Sequence, residues 1–200
     1  MAKQVDNSII VLFVEGDTDK EFYQELINYY RGETFNNIPK IKIYNLKGIG
    51  RFENKVASKI KLEISPKYSP ENISVFCCYD SDVFELGKKP PTNWKIVEKK
   101  LKVLGIKNFY RIVAKKMIED WFLSDLDGLL SYLKLKKAPK LKGKDAYEKI
   151  KSLFKSGNKI YQKGNSSHKF VPSLNIKKIR YNYSKELKKL ELKIGFKEKQ

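Results

Sequence analysis

The first apolar block, Ile9-Ile10-Val11-Leu12-Phe13-Val14, runs without interruption into Glu15-Gly16-Asp17-Thr18-Asp19. A run this short, closed by turn formers, predicts a buried strand rather than a helix. Asp17 or Thr18 is placed to cap a following helix, whose apolar positions Phe22, Tyr23, Leu26, Ile27 and Tyr30 share one face up to Gly32. Ile41–Leu46 then alternates apolar and charged residues, as a strand nearer an edge does, and a Lys47-Gly48-Ile49-Gly50-Arg51 turn leads into a helix carrying Phe52, Val56, Ile60 and Ile64. Ile73–Tyr79 is the most apolar strand and ends at Asp80-Ser81-Asp82. A proline-containing loop from Gly87 to Thr92 follows it. Trp94, Val97, Leu101 and Leu104 give helical spacing closed by Gly105, Phe109–Ala114 is a fourth strand, and Met117–Leu130 a helix.

Strands alternating with helices predict an α/β fold, Rossmann-like, with a mostly parallel four-stranded sheet and right-handed crossovers. In the strand order 2-1-3-4 the first and third strands are neighbours flanking the switch point. Glu15 then lies beside Asp80 and Asp82 at the carboxyl edge, where open α/β sheets bind ligands. Past residue 130 the rhythm is lost. Residues 1–130 therefore form the expected core, and 131–200 a mainly helical extension packed on it, with helical stretches at Asp145–Lys155 and Ser184–Leu192 and a loop around Gly164–Ser167.

Charge sharpens this division. The net charge is +19, yet residues 1–130 hold 21 basic against 18 acidic residues and residues 131–200 hold 21 against 5. Such asymmetry points to a polyanionic partner, DNA or RNA, reached through phosphate contacts. Lys47, Arg51, Lys163, Lys169, Lys177, Lys178 and Arg180 are the candidate nucleic-acid contacts. Tyr147, Phe154, Tyr161, Phe170, Tyr181 and Tyr183 are interleaved with the tail's lysines, most of them as core and one or two available for stacking. Cys77 and Cys78 are adjacent in a strand, so they point to opposite faces and do not pair. With His168 as the only histidine there is no zinc constellation and little room for a Ser-His-Asp triad. No apolar stretch approaches the roughly 18 residues of a membrane helix, and the polar N-terminus carries no secretory pattern, so a soluble cytoplasmic protein is expected.

Glu15-Gly16-x-x-Asp19 after one strand and Asp80-x-Asp82 after another resemble the acidic motifs of the Toprim domain, shared by topoisomerases, bacterial primases and several nucleases. The closer resemblance is to nucleases of the overcoming-lysogenization-defect (OLD) type and to short Toprim-like proteins of phage defence. Leu46-Lys47-Gly48 resembles their glycine turn after the second strand. Met117-Ile118-Glu119-Asp120-Trp121-Phe122-Leu123-x-Asp125 is similar to the acidic-aromatic helix after the fourth strand, and Tyr161-x-Lys163 with Phe170 and Ile176–Ile179 to the C-terminal segment. The resemblance implies a metal-dependent nuclease using one or two Mg²⁺ or Mn²⁺ ions. The tyrosine nucleophile of topoisomerases belongs to a separate domain that is not evident here.

Roles can be assigned by chemistry. Asp80 and Asp82 are two apart, so in extended geometry both carboxylates face one way and share one cation. Glu15 supplies another oxygen or acts as general acid/base. Asp19, one helical turn on, and Glu119 are placed to hold a second ion, and Lys115 or Lys116 to stabilise charge developing on the phosphate. Plainer roles stand beside these: Asp17 or Asp19 as helix cap, Glu119 and Asp120 as the charged face of a helix, the lysines as solvated surface. The alternative function is a non-catalytic nucleic-acid-binding protein on the same scaffold. A haloacid-dehalogenase-like phosphatase, with Asp80 as nucleophile, Asp82 as acid/base and Val83 following, or a nucleotide-sugar transferase would each explain Asp80-x-Asp82 but not Glu15-Gly16 or the charge. There is no phosphate-binding G-x-x-x-x-G-K-[ST] loop, so nucleotide hydrolysis would come from a partner ATPase or sensor.

Overall fold

Uninterrupted apolar runs form central strands because helices cover both faces of a parallel sheet. In the computed structural model, which describes residues 8–34, 38–82, 84, 90–164 and 167–197, β1 (Ile9–Val14), β2 (Lys40–Asn45), β3 (Ile73–Asp80) and β4 (Asn108–Ala114) bond in the order β2-β1-β3-β4. Every pair is parallel, as the alternation predicts. β1 and β3, the two most apolar segments, are buried throughout at the centre, and the half-buried, alternating β2 lies at an edge. The expected Gly87–Thr92 loop is outside the described residues as far as Lys89, as are Val83 and, in the Gly164–Ser167 loop, Asn165 and Ser166.

The two-residue period of the strands divides the interior into two cores. Ile10, Leu12, Val14, Phe76, Cys78 and Ile112 face one side, and Ile9, Val11, Phe13, Val75 and Cys77 the other. Cys77 and Cys78 are accordingly buried and unpaired. The second core is closed by α2 (Phe52–Lys59), which continues through a π turn at Ile60–Ile64, and by α3 (Trp94–Val103). The first core is closed by α1 (Asp17–Glu33) and by everything after β4.

The single helix expected over Met117–Leu130 is two, α4 (Ile118–Leu123) and α5 (Leu126–Leu133). The break falls at Ser124-Asp125, and the Asp125 carboxylate is buried there by the tail. Its Oδ2 accepts the Asn175 N–H at 2.7 Å and its Oδ1 pairs with Lys178 at 3.3 Å. After α6 (Ala146–Ser156) come one helical turn at Ser167–Phe170, α7 (Ile176–Asn182) and α8 (Ser184–Ile194). Phe154, Tyr161, Phe170, Ile179, Leu187 and Leu190 join the first core, with Ile10, Leu12 and Val14 of β1. Of the tail aromatics, Phe154, Tyr161 and Phe170 are interior, Tyr183 stacks on Trp121, and Tyr181 is exposed. No helix among the described residues is long and apolar enough to cross a membrane.

One charge expected on the surface is inside. Arg180 is buried, its Nε and Nη2 bonding both oxygens of Glu191 at 2.6 and 3.0 Å, while the Tyr30 hydroxyl donates to Glu191 Oε1 at 2.8 Å. The fork of two N–H groups matches a carboxylate, which makes arginine the cation suited to such a position. Arg180 therefore fastens the tail to α1 and does not face a polyanion. Glu191→Ala leaves a guanidinium buried without its partner and is expected to cost about 3–5 kcal/mol, read from urea unfolding. A loss under about 1 kcal/mol would class the pair with ordinary surface bridges.

Candidate active site

Both central strands stop at acidic residues, and the register determines how these meet. Val14 is opposite Cys78, so Glu15, just after β1, falls one residue short of Asp80, the last of β3. The Asp80 N–H donates to Glu15 Oε1 at 2.9 Å. Gly16, extended, is the N-cap of α1, one residue before the expected Asp17 and two before Thr18. Its N–H donates to Asp19 Oδ2 at 3.2 Å, and Asp19 is buried at 3% exposure. Thr18 is employed otherwise: its Oγ1 accepts the N–H of Gly164 at 2.8 Å, tying the tail loop to the first turn of α1. Asp17 accepts from Asn45 Nδ2 at 2.6 Å. Gly48, at φ +122°, donates its N–H to Glu15 O at 2.8 Å, a backbone conformation that favours glycine.

The centre of the arrangement is a cation from the tail. Lys163 Nζ lies 3.0 Å from Asp80 Oδ2 and 3.5 Å from Glu119 Oε2. The other oxygen of Asp80 accepts the Ile118 N–H at 2.9 Å, and the other oxygen of Glu119 accepts the Tyr161 O–H at 2.8 Å. Glu119, at the start of α4, has no exposed surface. Glu15, Asp17, Asp19, Lys47 and Lys163 line an open groove of about 370 Å³.

Two expectations change. Asp80 and Asp82 do not form an extended pair, because β3 ends at Asp80 and the chain bends into a helical turn. The bend is fixed by the Ser81 and Asp82 amides, which donate to the carbonyls of Ala114 and Lys116 at 3.0 Å each. Lys163, expected on a phosphate-binding surface, is turned towards the carboxylates. Lys115 and Lys116 stand exposed on the turn after β4, with Lys116 at φ +67° and its N–H on Ser81 Oγ at 2.8 Å. Of the other candidate phosphate contacts, Lys47, Arg51, Lys169 and Lys177 are exposed, whereas Lys178 is paired with Asp125 and Asp127. Tyr161-x-Lys163 was the sequence signal for this part of the site, but nothing in it told which partner the lysine takes.

Burial raises the proton affinity of these acids, and their mutual repulsion adds to it. Glu15 is pushed up to about 7, by burial first and then by the charges of Asp80 and Asp82, against the Asp80 N–H and Lys163. Asp80 is raised to about 6 by burial and by Glu119 and Asp82, with Lys163 opposing. Asp19 is raised well above the usual carboxylate range by burial and the charge of Asp80. Burial works against the charge on Lys163, but Asp80, Glu119 and Asp19 outweigh it and hold the ammonium above its ordinary range.

Oxygen donors of this kind suit a hard divalent cation, and an ammonium already stands among them as a positive charge. Among the described residues no three acidic, histidine or cysteine side chains are gathered into a set that could hold a metal ion. The donors fit by chemistry, but they are not gathered around one point. Comparison with protein-family models, with curated proteins and with solved structures finds no match.

Between pH 4.5 and about 7 the folded chain keeps the Glu15 proton that the unfolded chain releases. Stability is therefore expected to fall as pH rises through that window, by up to about 1.4 kcal/mol per pH unit for each such carboxylate. Urea midpoints measured from pH 5 to 8 check this, with Glu15→Gln flattening the slope. A slope unchanged in that variant would refute the assignment.

Proposed function

We propose that the chain is a divalent-metal-dependent nuclease of Toprim type, hydrolysing phosphodiester bonds of DNA or RNA. The observation that carries this reading is the approach of Asp80 and Glu119 to Lys163 at the carboxyl edge of the sheet, with Glu15 bonded to the Asp80 amide and Asp19 buried nearby. A surface that is strongly basic overall brings a polyanion to that edge, and an acidic centre within it is suited to a cation rather than to the phosphate itself.

In this reading Asp80, Glu119 and Asp19, with Asp82 and Glu15 nearby, would hold Mg²⁺ or Mn²⁺, which when bound would neutralise charge at the phosphate oxygens. The remaining work belongs to the chain. Glu15 has a proton affinity near neutrality, and with Oε1 occupied by the Asp80 amide it takes a proton from the attacking water through Oε2. The water oxygen forms the new bond to phosphorus as the bond to the leaving oxygen breaks. That oxygen takes its proton from solvent. Lys163, half exposed, presents its ammonium to the charge that accumulates on the phosphate. Lys47, Arg51, Lys169 and Lys177 supply outlying phosphate contacts.

A second reading, a nucleic-acid-binding protein without catalysis, draws support from Lys163 itself, because its ammonium already neutralises part of the acidic centre. One experiment separates the two. Purified protein is incubated with mixed DNA and RNA substrates in Mg²⁺, Mn²⁺ or EDTA. Cutting that depends on metal, is lost in Asp80→Ala and falls about 10²–10⁴-fold in Glu15→Gln supports the nuclease. Binding that persists with no cutting under any metal supports the second reading, and cutting unchanged in Asp80→Ala overturns the first.

A further inference from the structure

A larger groove, about 710 Å³, runs between α3 and the outer edge of β4. Tyr79, next to Asp80 in sequence but on the opposite face of β3, stacks on Trp94 with ring centroids 4.5 Å apart, and Phe84 lies 6.4 Å from the same indole in nearly parallel planes. The Arg111 guanidinium sits over Trp94 at 5.8 Å. Farther along, Phe109 is partly exposed, and Lys95 and Lys107 are exposed on the walls. Among the described lining residues the acid, Glu98, is paired with Lys102 at 2.8 Å, so the remaining charge of those residues is positive.

Aromatic faces alternating with cations along an open channel are what a single strand requires: its unpaired bases stack, and its phosphates meet the cations. A duplex keeps its bases inside and offers such a groove only its backbone. We infer that this groove binds a single-stranded nucleic-acid segment, its bases against Trp94, Phe84 and Phe109 and its phosphates against Lys95, Lys107 and Arg111. The substrate is then single-stranded, or carries a single-stranded stretch. In naming the strandedness of the substrate this rests on the nuclease reading, whereas the binding itself needs neither metal nor cleavage.

Binding is therefore measured in EDTA. Labelled single-stranded oligonucleotides, an equal duplex and an acidic peptide are titrated by fluorescence anisotropy, with intrinsic tryptophan emission followed alongside. Trp121 is buried at 1% exposure, so quenching on binding reports Trp94. The expected result is single-strand binding with quenching. Weakening of about tenfold or more is expected in the triple variant Lys95→Ala/Lys107→Ala/Arg111→Ala, and a salt slope about two smaller, with circular dichroism unchanged. Single-strand affinity untouched by the triple variant overturns the inference. So does duplex binding with the same groove dependence, and so does capture of the peptide alone, which would make β4 an edge for strand addition. Each result stands whether or not the metal assay shows cutting.

Discussion

Lys163 is the contact on which the acidic edge depends. Carboxylates at the ends of two buried strands and on two helix starts lose solvation on folding, and each raises the free energy of its neighbours. An ammonium 3.0 Å from Asp80 and 3.5 Å from Glu119 offsets part of that cost. Tyr161 fixes Glu119 from below, and the Gly164–Thr18 bond holds the loop that carries the lysine. The tail is thus a structural requirement of the site and also a source of positive surface. The buried Arg180–Glu191–Tyr30 cluster does the same at the far end of α1, so the tail is anchored at two points by charge and between them by Phe154, Phe170 and Ile179.

Much of the sheet was legible in the sequence because it rests on local pattern. Ile9–Val14 and Ile73–Tyr79 are apolar without interruption, and a residue has that pattern only where both faces of a strand are covered. Alternation of strands and helices then restricts the order, and the position of Glu15 beside Asp80 follows. What was not legible depends on partners distant in sequence. Lys163 is one lysine in a segment crowded with them, and nothing local distinguishes the one that turns inward. Arg180 had the same ambiguity, resolved only by Glu191 one turn of α8 from the end. The bend at Ser81 depends on carbonyls of Ala114 and Lys116, and the break at Ser124-Asp125 on the amide of Asn175, so neither is written in its own neighbourhood.

The two cations that matter most differ in type for a physical reason. Arg180, almost wholly buried, meets its carboxylate with a planar fork that leaves few donors unsatisfied. Lys163 is half exposed, and its compact ammonium can turn among several oxygens or towards solvent. The first arrangement suits a permanent clasp. The second suits a place where another charged group has to enter.

The separation of these partners along the chain sets an order of events. Asp80 meets its lysine 83 residues later, and Tyr30 meets Glu191 161 residues later. Long loops close slowly, and their ordering entropy is spent before the contact repays it. During synthesis β1, β2 and β3 emerge with their acidic ends in water, where the carboxylates remain hydrated and far from any fixed cation. The acidic centre comes together only when the segment carrying Tyr161, Lys163 and Gly164 has emerged and docked, so a chain that stops short of it carries the motifs without the site.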